Sequence, residues 1–233
     1  MSEHITEEQQ VEAIKTWWKE NGVAVVAGLV IGFGALFGWR YYTDYKDAQS
    51  GAASSLYESV QQKIKLGQTD DARLQADKII AEYPRTPYAA MAALTAAKQA
   101  AVSNNMDEAR KQLQWVLDNS SQPQFVHSAR LQLIAIMLNA AEYDAALGLL
   151  ATVKAGGYAA AYEEIKGDIL LAKGDSKAAH EAYDKALQAE GLGAQQRRIV
   201  QTKFDDTVSN MSGSNAGVGK GAFACLLLVY LLP

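Results

Sequence analysis

One cysteine, Cys225, is all the chain has, so no disulfide and no thiolate-based metal site can form within it. That count leaves the redox compartment open. Basic residues are not in excess either. The 22 Lys and Arg stand against 26 Asp and Glu, and no block dense in Lys or Arg occurs, which argues against nucleic acid as a partner. Only four prolines occur among 233 residues, which suits one globular domain plus an anchor. From Leu56 to Val208 no alternating, β-branched-rich segment is long enough for a sheet.

Catalytic constellations are also missing. His4, His127 and His180 are far apart and fit no ligand spacing, so they are expected to be surface or packed side chains, and no metal is implied. Asp70-Asp71, Glu163-Glu164 and Asp205-Asp206 are adjacent acids, which on a helix point in different directions and read as solvated faces. Gly32-Phe-Gly34 is followed by Gly38 one residue too late for a dinucleotide fingerprint. Gly213 to Gly219 holds one residue too many for a phosphate loop, and Gly221 follows Lys220 where Ser or Thr is needed. No Ser/His/Asp order or Cys/His pair is present. An enzyme is therefore the least supported class, and no cofactor is expected.

Charge is absent from one stretch altogether: Asn21 to Trp39, nineteen residues between Glu20 and Arg40. As a helix it covers roughly 28 Å, close to the roughly 30 Å of a bilayer's hydrocarbon core. Trp17 and Trp18 precede it, and Trp39, Tyr41, Tyr42 and Tyr45 follow, as rings that settle at headgroup level would. Residues 21–39 are thus expected to be a transmembrane helix, after a short acidic-leaning N-terminus (1–20) and before a juxtamembrane linker (40–54). The glycine pairs Gly28 with Gly32 and Gly34 with Gly38 are small-xxx-small spacings, candidates for helix packing in the membrane. Orientation does not follow from charge: Lys15 and Lys19 before the span balance Arg40 and Lys46 after it.

Residues 55–210 carry leucines, aromatics and alanines at helical spacing, broken by short polar turns, so the domain is expected to be all-α. Ala72, Ala109, Ala146 and Ala179 recur at intervals of 37, 37 and 33 residues, about the tetratricopeptide period. Before each stands a residue able to cap a helix: Asp70, Asp107, Asp144 or Ser176. The last unit matches the consensus best, with Gly167, Ala179, Tyr183 and Ala186 in register. Small residues there let two antiparallel helices approach, and the aromatic fills the gap to the next pair. Ala97 and Ile134 replace the glycine in earlier units, and Pro84 falls where the consensus proline ends the first. A generic array of helical hairpins is the plainer alternative. Tyr57, Tyr83, Tyr88, Trp115, Tyr143, Tyr158 and Tyr162 either anchor a partner in a groove or, for most of them, pack between helices. Residues 211–233 change character, to a Gly/Ser-rich run and then Ala222 to Leu232, apolar but too short to span. That tail reads like a signal peptide and is expected to lie outside the fold.

Val11-Glu12-Ala13-Ile14-Lys15, Glu20-Asn21-Gly22, the block Gly34-Ala35-Leu36-Phe37-Gly38-Trp39-Arg40-Tyr41 and the Gly167–Ala186 helix pair together resemble the YfgM family of bacterial inner-membrane proteins over about residues 1–210. The resemblance implies a non-enzymatic ancillary subunit of the SecYEG translocon, a cytoplasmic N-terminus and a periplasmic tetratricopeptide-like domain. It also implies proximity to the chaperone PpiD and a role in holding emerging secretory polypeptides. Two rival roles fit the same residues: a membrane-bound negative regulator of a stress-signalling regulator, and an envelope assembly scaffold.

Overall fold

The computed structural model describes residues 7–211, all of whose regular elements are helical. The expectations for the tail, Cys225 and His4 lie outside the described residues. The chain divides into two compact units, one ending at Ala52 and the next beginning at Ala53.

Helix α1, Glu7–Lys65, supplies all the described structure of the first unit. Residues 40–54, expected as a linker, are helical throughout, because nothing there breaks the pattern: there is no proline and only Gly51. A window of 18 residues in α1 is apolar enough to cross a membrane and only 6% buried. Val23, Ile31, Leu36 and Phe37 are all exposed, the reverse of a core helix of a water-soluble domain.

The second unit begins with the last turns of α1. It continues with α2 (Thr69–Glu82), α3 (Pro87–Val102), α4 (Met106–Asn119), α5 (Pro123–Asn139), α6 (Tyr143–Ala151), α7 (Ala159–Ala172), α8 (Ser176–Gln188) and α9 (Ala194–Met211). Pro87 and Pro123 open α3 and α5 at a position where a missing N–H costs nothing. Buried side chains fall into successive clusters that share helices. One joins Ala53 and Val60 to α2 and α3, a second joins α3, α4 and α5, and a third joins α5, α6 and α7; another joins α8 to Val200 of α9. Each helix pair covers its apolar face with its neighbour, as in a stack of repeats.

The hairpin turns show the repeat at atomic level. Gly67, Asn104, Ala141 and Gly174 have φ of 74°, 58°, 59° and 89°, the left-handed residue that ends a helix. After each, the next N–H reaches back five residues: Gln68 to the Lys63 carbonyl (2.9 Å), Asn105 to Ala100 (2.8 Å), Glu142 to Met137 (2.9 Å) and Asp175 to Leu170 (2.9 Å). Four identical Schellman turns therefore begin α2, α4, α6 and α8. Glycine meets the positive φ without strain at Gly67 and Gly174.

These turns also correct the expected caps. The N-caps are Gln68, Asn105, Glu142 and Asp175, and only Asn105 and Asp175 accept a backbone N–H with their side chains, from Glu108 and Ala178. Asp70, Asp107, Asp144 and Ser176 lie one or two residues inside the helices. The three aspartates favour the first turn there through their charge at the positive end of the helix dipole.

Candidate functional site

Two surfaces follow from the sequence, and each is described in its own unit. On α1, a Cβ placed on Gly28, Gly32, Gly34 or Gly38 meets nothing within 4 Å. Gly22 differs, for the Trp18 ring lies over it, with Cε2 and Nε1 3.2 Å from where its Cβ would be. That glycine serves to seat a tryptophan one turn earlier on the same helix.

In the second unit Ala72, Ala109, Ala146 and Ala179 each occupy the fourth position of their helix, at 2%, 0%, 0% and 0% exposure. Seven residues before each positive-φ residue stand Val60, Ala97, Ile134 and Gly167, all buried. Gly167 lies directly beneath Tyr183: a Cβ on it would come within 2.6 Å of Cδ1 and 2.8 Å of Cζ. Tyr183 and Ala186 are fully buried beside Ala179. The aromatic residues considered as groove anchors all pack inward. Tyr57, Tyr83, Tyr88 and Trp115 lie against the α2–α3 cluster, and Tyr143 and Tyr158 lie against the α5–α7 cluster, which includes Tyr162.

A buried charge network was not read from the sequence. Glu164 and Asp168 on α7 are 1% and 2% exposed, and Lys203 of α9 reaches both, Nζ lying 2.7 Å from Glu164 Oε1 and 2.9 Å from Asp168 Oδ2. Tyr183 donates its hydroxyl to Asp168 Oδ1 at 2.8 Å, and Gln196 donates to Glu164 Oε2. Burial raises the Asp168 carboxyl above its usual range against the pull of Lys203. Burial alone would lower the Lys203 ammonium, but Asp168 and Glu164 hold it raised. Burial and the Asp168 carboxylate likewise raise the Tyr183 phenol. These contacts join α9 to α7 and α8. The i,i+4 spacing of Glu164 and Asp168 was the available signal. Glu163, next to Glu164, is half-buried and pairs with Lys166 at 3.6 Å.

Two ion pairs link neighbouring hairpins on the outside. Arg110 of α4 forks onto Glu142 at 2.9 and 2.8 Å, and Lys173 at the end of α7 bonds Asp144 of α6. The hydrogen bond from Arg110 lowers the Glu142 carboxyl. Among the described residues no cluster of three or more His, Cys, Asp or Glu is placed to hold a metal.

Residues 15–209 match the family described as a tetratricopeptide repeat-like domain. The chain is similar to proteins named ancillary SecYEG translocon subunit. It is 34% identical to that of Escherichia coli (strain K12) over 79% of this chain and 88% of the relative. Against the Haemophilus influenzae protein the figures are 31%, 81% and 92%. Against that of Aggregatibacter actinomycetemcomitans they are 31%, 88% and 100%. No solved structure matches the chain.

Proposed function

Because the chain belongs to the tetratricopeptide repeat-like family of ancillary SecYEG translocon subunits, we propose that it is a membrane-anchored interaction protein working beside the Sec translocon. What carries the reading is that the similarity runs through both units: the matched residues, 15–209, take in the apolar part of α1 and every hairpin. Residues 21–39 anchor the chain in the inner membrane, residues 1–20 face the cytoplasm, and residues 55–210 stand in the periplasm. There the stacked hairpins offer a surface to the chaperone PpiD and to unfolded secretory polypeptides leaving the channel. Helix stacks suit this work because neighbouring pairs build an extended curved face.

Orientation rests on the family resemblance, since flanking charge is balanced, and a reporter active only in the cytoplasm tests it. Fused after Val208, it should be silent; activity there would reverse the topology and exclude a periplasmic role.

In-cell crosslinking of the full-length protein should capture SecYEG subunits. Failure to enrich them would remove the translocon reading. A paired variant asks what the span contributes. Gly28→Leu with Gly32→Leu keeps α1 apolar and inserted but fills a face along which another helix approaches. Co-purification of the translocon should weaken without vanishing, because two tethered contacts reinforce one another. If it is unchanged, and stays so when an unrelated span is exchanged for this one, the span is a plain anchor.

A further inference from the structure

We propose that the junction between α5 and α7 is a hinge, locked by the neutral imidazole of His127 and released when that ring takes a proton. The proposal goes beyond the translocon reading and does not depend on which side of a membrane the domain occupies.

The junction is built unlike the others. Helices α2, α4 and α8 have 14, 14 and 13 residues, but α6 has 9, and the chain then passes through a 3-10 turn, Gly156–Tyr158, before α7 starts. Part of the work of a full second helix falls instead to direct contact between α5 and α7. His127 of α5 stacks on Tyr158, centroids 4.1 Å apart and planes 22° from parallel, and its Nδ1 lies 2.7 Å from the hydroxyl of Tyr162 on α7.

Arg130, one turn along α5, places its positive charge beside both His127 and Tyr162. A further proton on the ring sets imidazolium beside guanidinium. Among the described residues, the groups shown against His127 are Arg130 on its own helix and Tyr158 and Tyr162 opposite, none of them a carboxylate. Burial, and then the Arg130 charge, lower the His127 pKa. An opened junction therefore binds the proton more readily than the closed one. The closed form has its full stability above the ordinary histidine value of about 6.5 and loses it as pH falls through that value towards the lowered one.

A second observation points to the same place. The buried side-chain polar atoms left without a hydrogen bond among the described residues are Arg130 Nε and Gln132 Oε1 on α5 and Glu163 Oε2 on α7, the last with only the Lys166 ammonium at 3.6 Å. All stand on the two helices of this junction. Each such atom has lost its water without gaining a hydrogen bond, a cost that opening the junction relieves.

Amide hydrogen exchange of the full-length protein in detergent micelles, corrected for intrinsic rates, tests the hinge. Between about pH 7.5 and pH 5.5 opening of residues 152–172 should rise, by up to about tenfold, that of the α3–α4 hairpin should hold steady, and His127→Gln should abolish the rise. Glutamine keeps an acceptor for Tyr162 and cannot titrate. Imidazole resonances of the wild-type protein give a readout independent of any variant: His127 should titrate below a histidine in an unfolded peptide. An equal exchange response in His127→Gln, a rise shared by every hairpin, or a His127 midpoint at or above the peptide value would overturn the proposal.

Discussion

Lys203→Met should destabilise the helical domain by about 3–5 kcal/mol, the cost of leaving buried carboxylates without their cation. At about 2–4 °C per kcal/mol for a domain of this size, the thermal midpoint of the full-length protein drops by roughly 6–20 °C. Two carboxylates, Glu164 and Asp168, lose one ammonium, and both are almost inaccessible to water. Neutralising them as well, with Glu164→Gln and Asp168→Asn, should recover most of the loss, since a satisfied neutral network needs no counter-ion. Lys203→Met with an unchanged midpoint would mean that α9 is not held by this contact.

The same network sets a sign for pH. A carboxyl whose folded pKa is raised binds protons more readily when folded. Asp168 therefore destabilises the fold above its raised folded value and is relieved of that cost as pH falls towards the ordinary carboxylate range. Removing Lys203 takes away the charge that pulls the Asp168 carboxyl down, so that carboxyl rises further. The deficit of Lys203→Met relative to wild type should thus narrow on acidification, the opposite of the usual loss of a surface ion pair.

The repeat was legible because its cause is local. A small residue at the fourth position of each second helix and a left-handed residue before it recur with the chain's own period, so Ala72, Ala109, Ala146 and Ala179 could be aligned without any coordinates. Cap identity was less legible: Gln68 and Glu142 cap by backbone position alone, while the better cap formers stand just inside the helix. The Lys203 network was out of reach for a different reason. It joins α7 and α9 across 39 and 35 residues, and no periodicity encodes which buried acid meets which base. The His127 contacts likewise span 35 residues to Tyr162, so a lone histidine read only as a surface or packed side chain. Helicity through residues 40–54 was hidden by the polarity of the stretch, which reads as a linker although its residues are compatible with helix.

Ala179→Trp should be severe among the repeat positions, at or above the usual overpacking cost of about 1–3 kcal/mol. Ala179 has no exposed surface and sits in one cluster with Tyr183, Ala186 and Val200. The neighbouring ring has little freedom to yield: Tyr183 is pressed on Gly167 from one side and tied by its hydroxyl to Asp168. Gly167→Ala asks the same question with a single methyl, which comes within 2.6 Å of Tyr183 Cδ1 and so forces a shift, and it should cost less only because it adds far less volume than an indole. The two substitutions press on the same tyrosine, so their combined effect should depart from the sum of the two. An unchanged thermal midpoint for Ala179→Trp would show that α7 and α8 do not approach one another there, and the tetratricopeptide register assigned to this hairpin would have to shift.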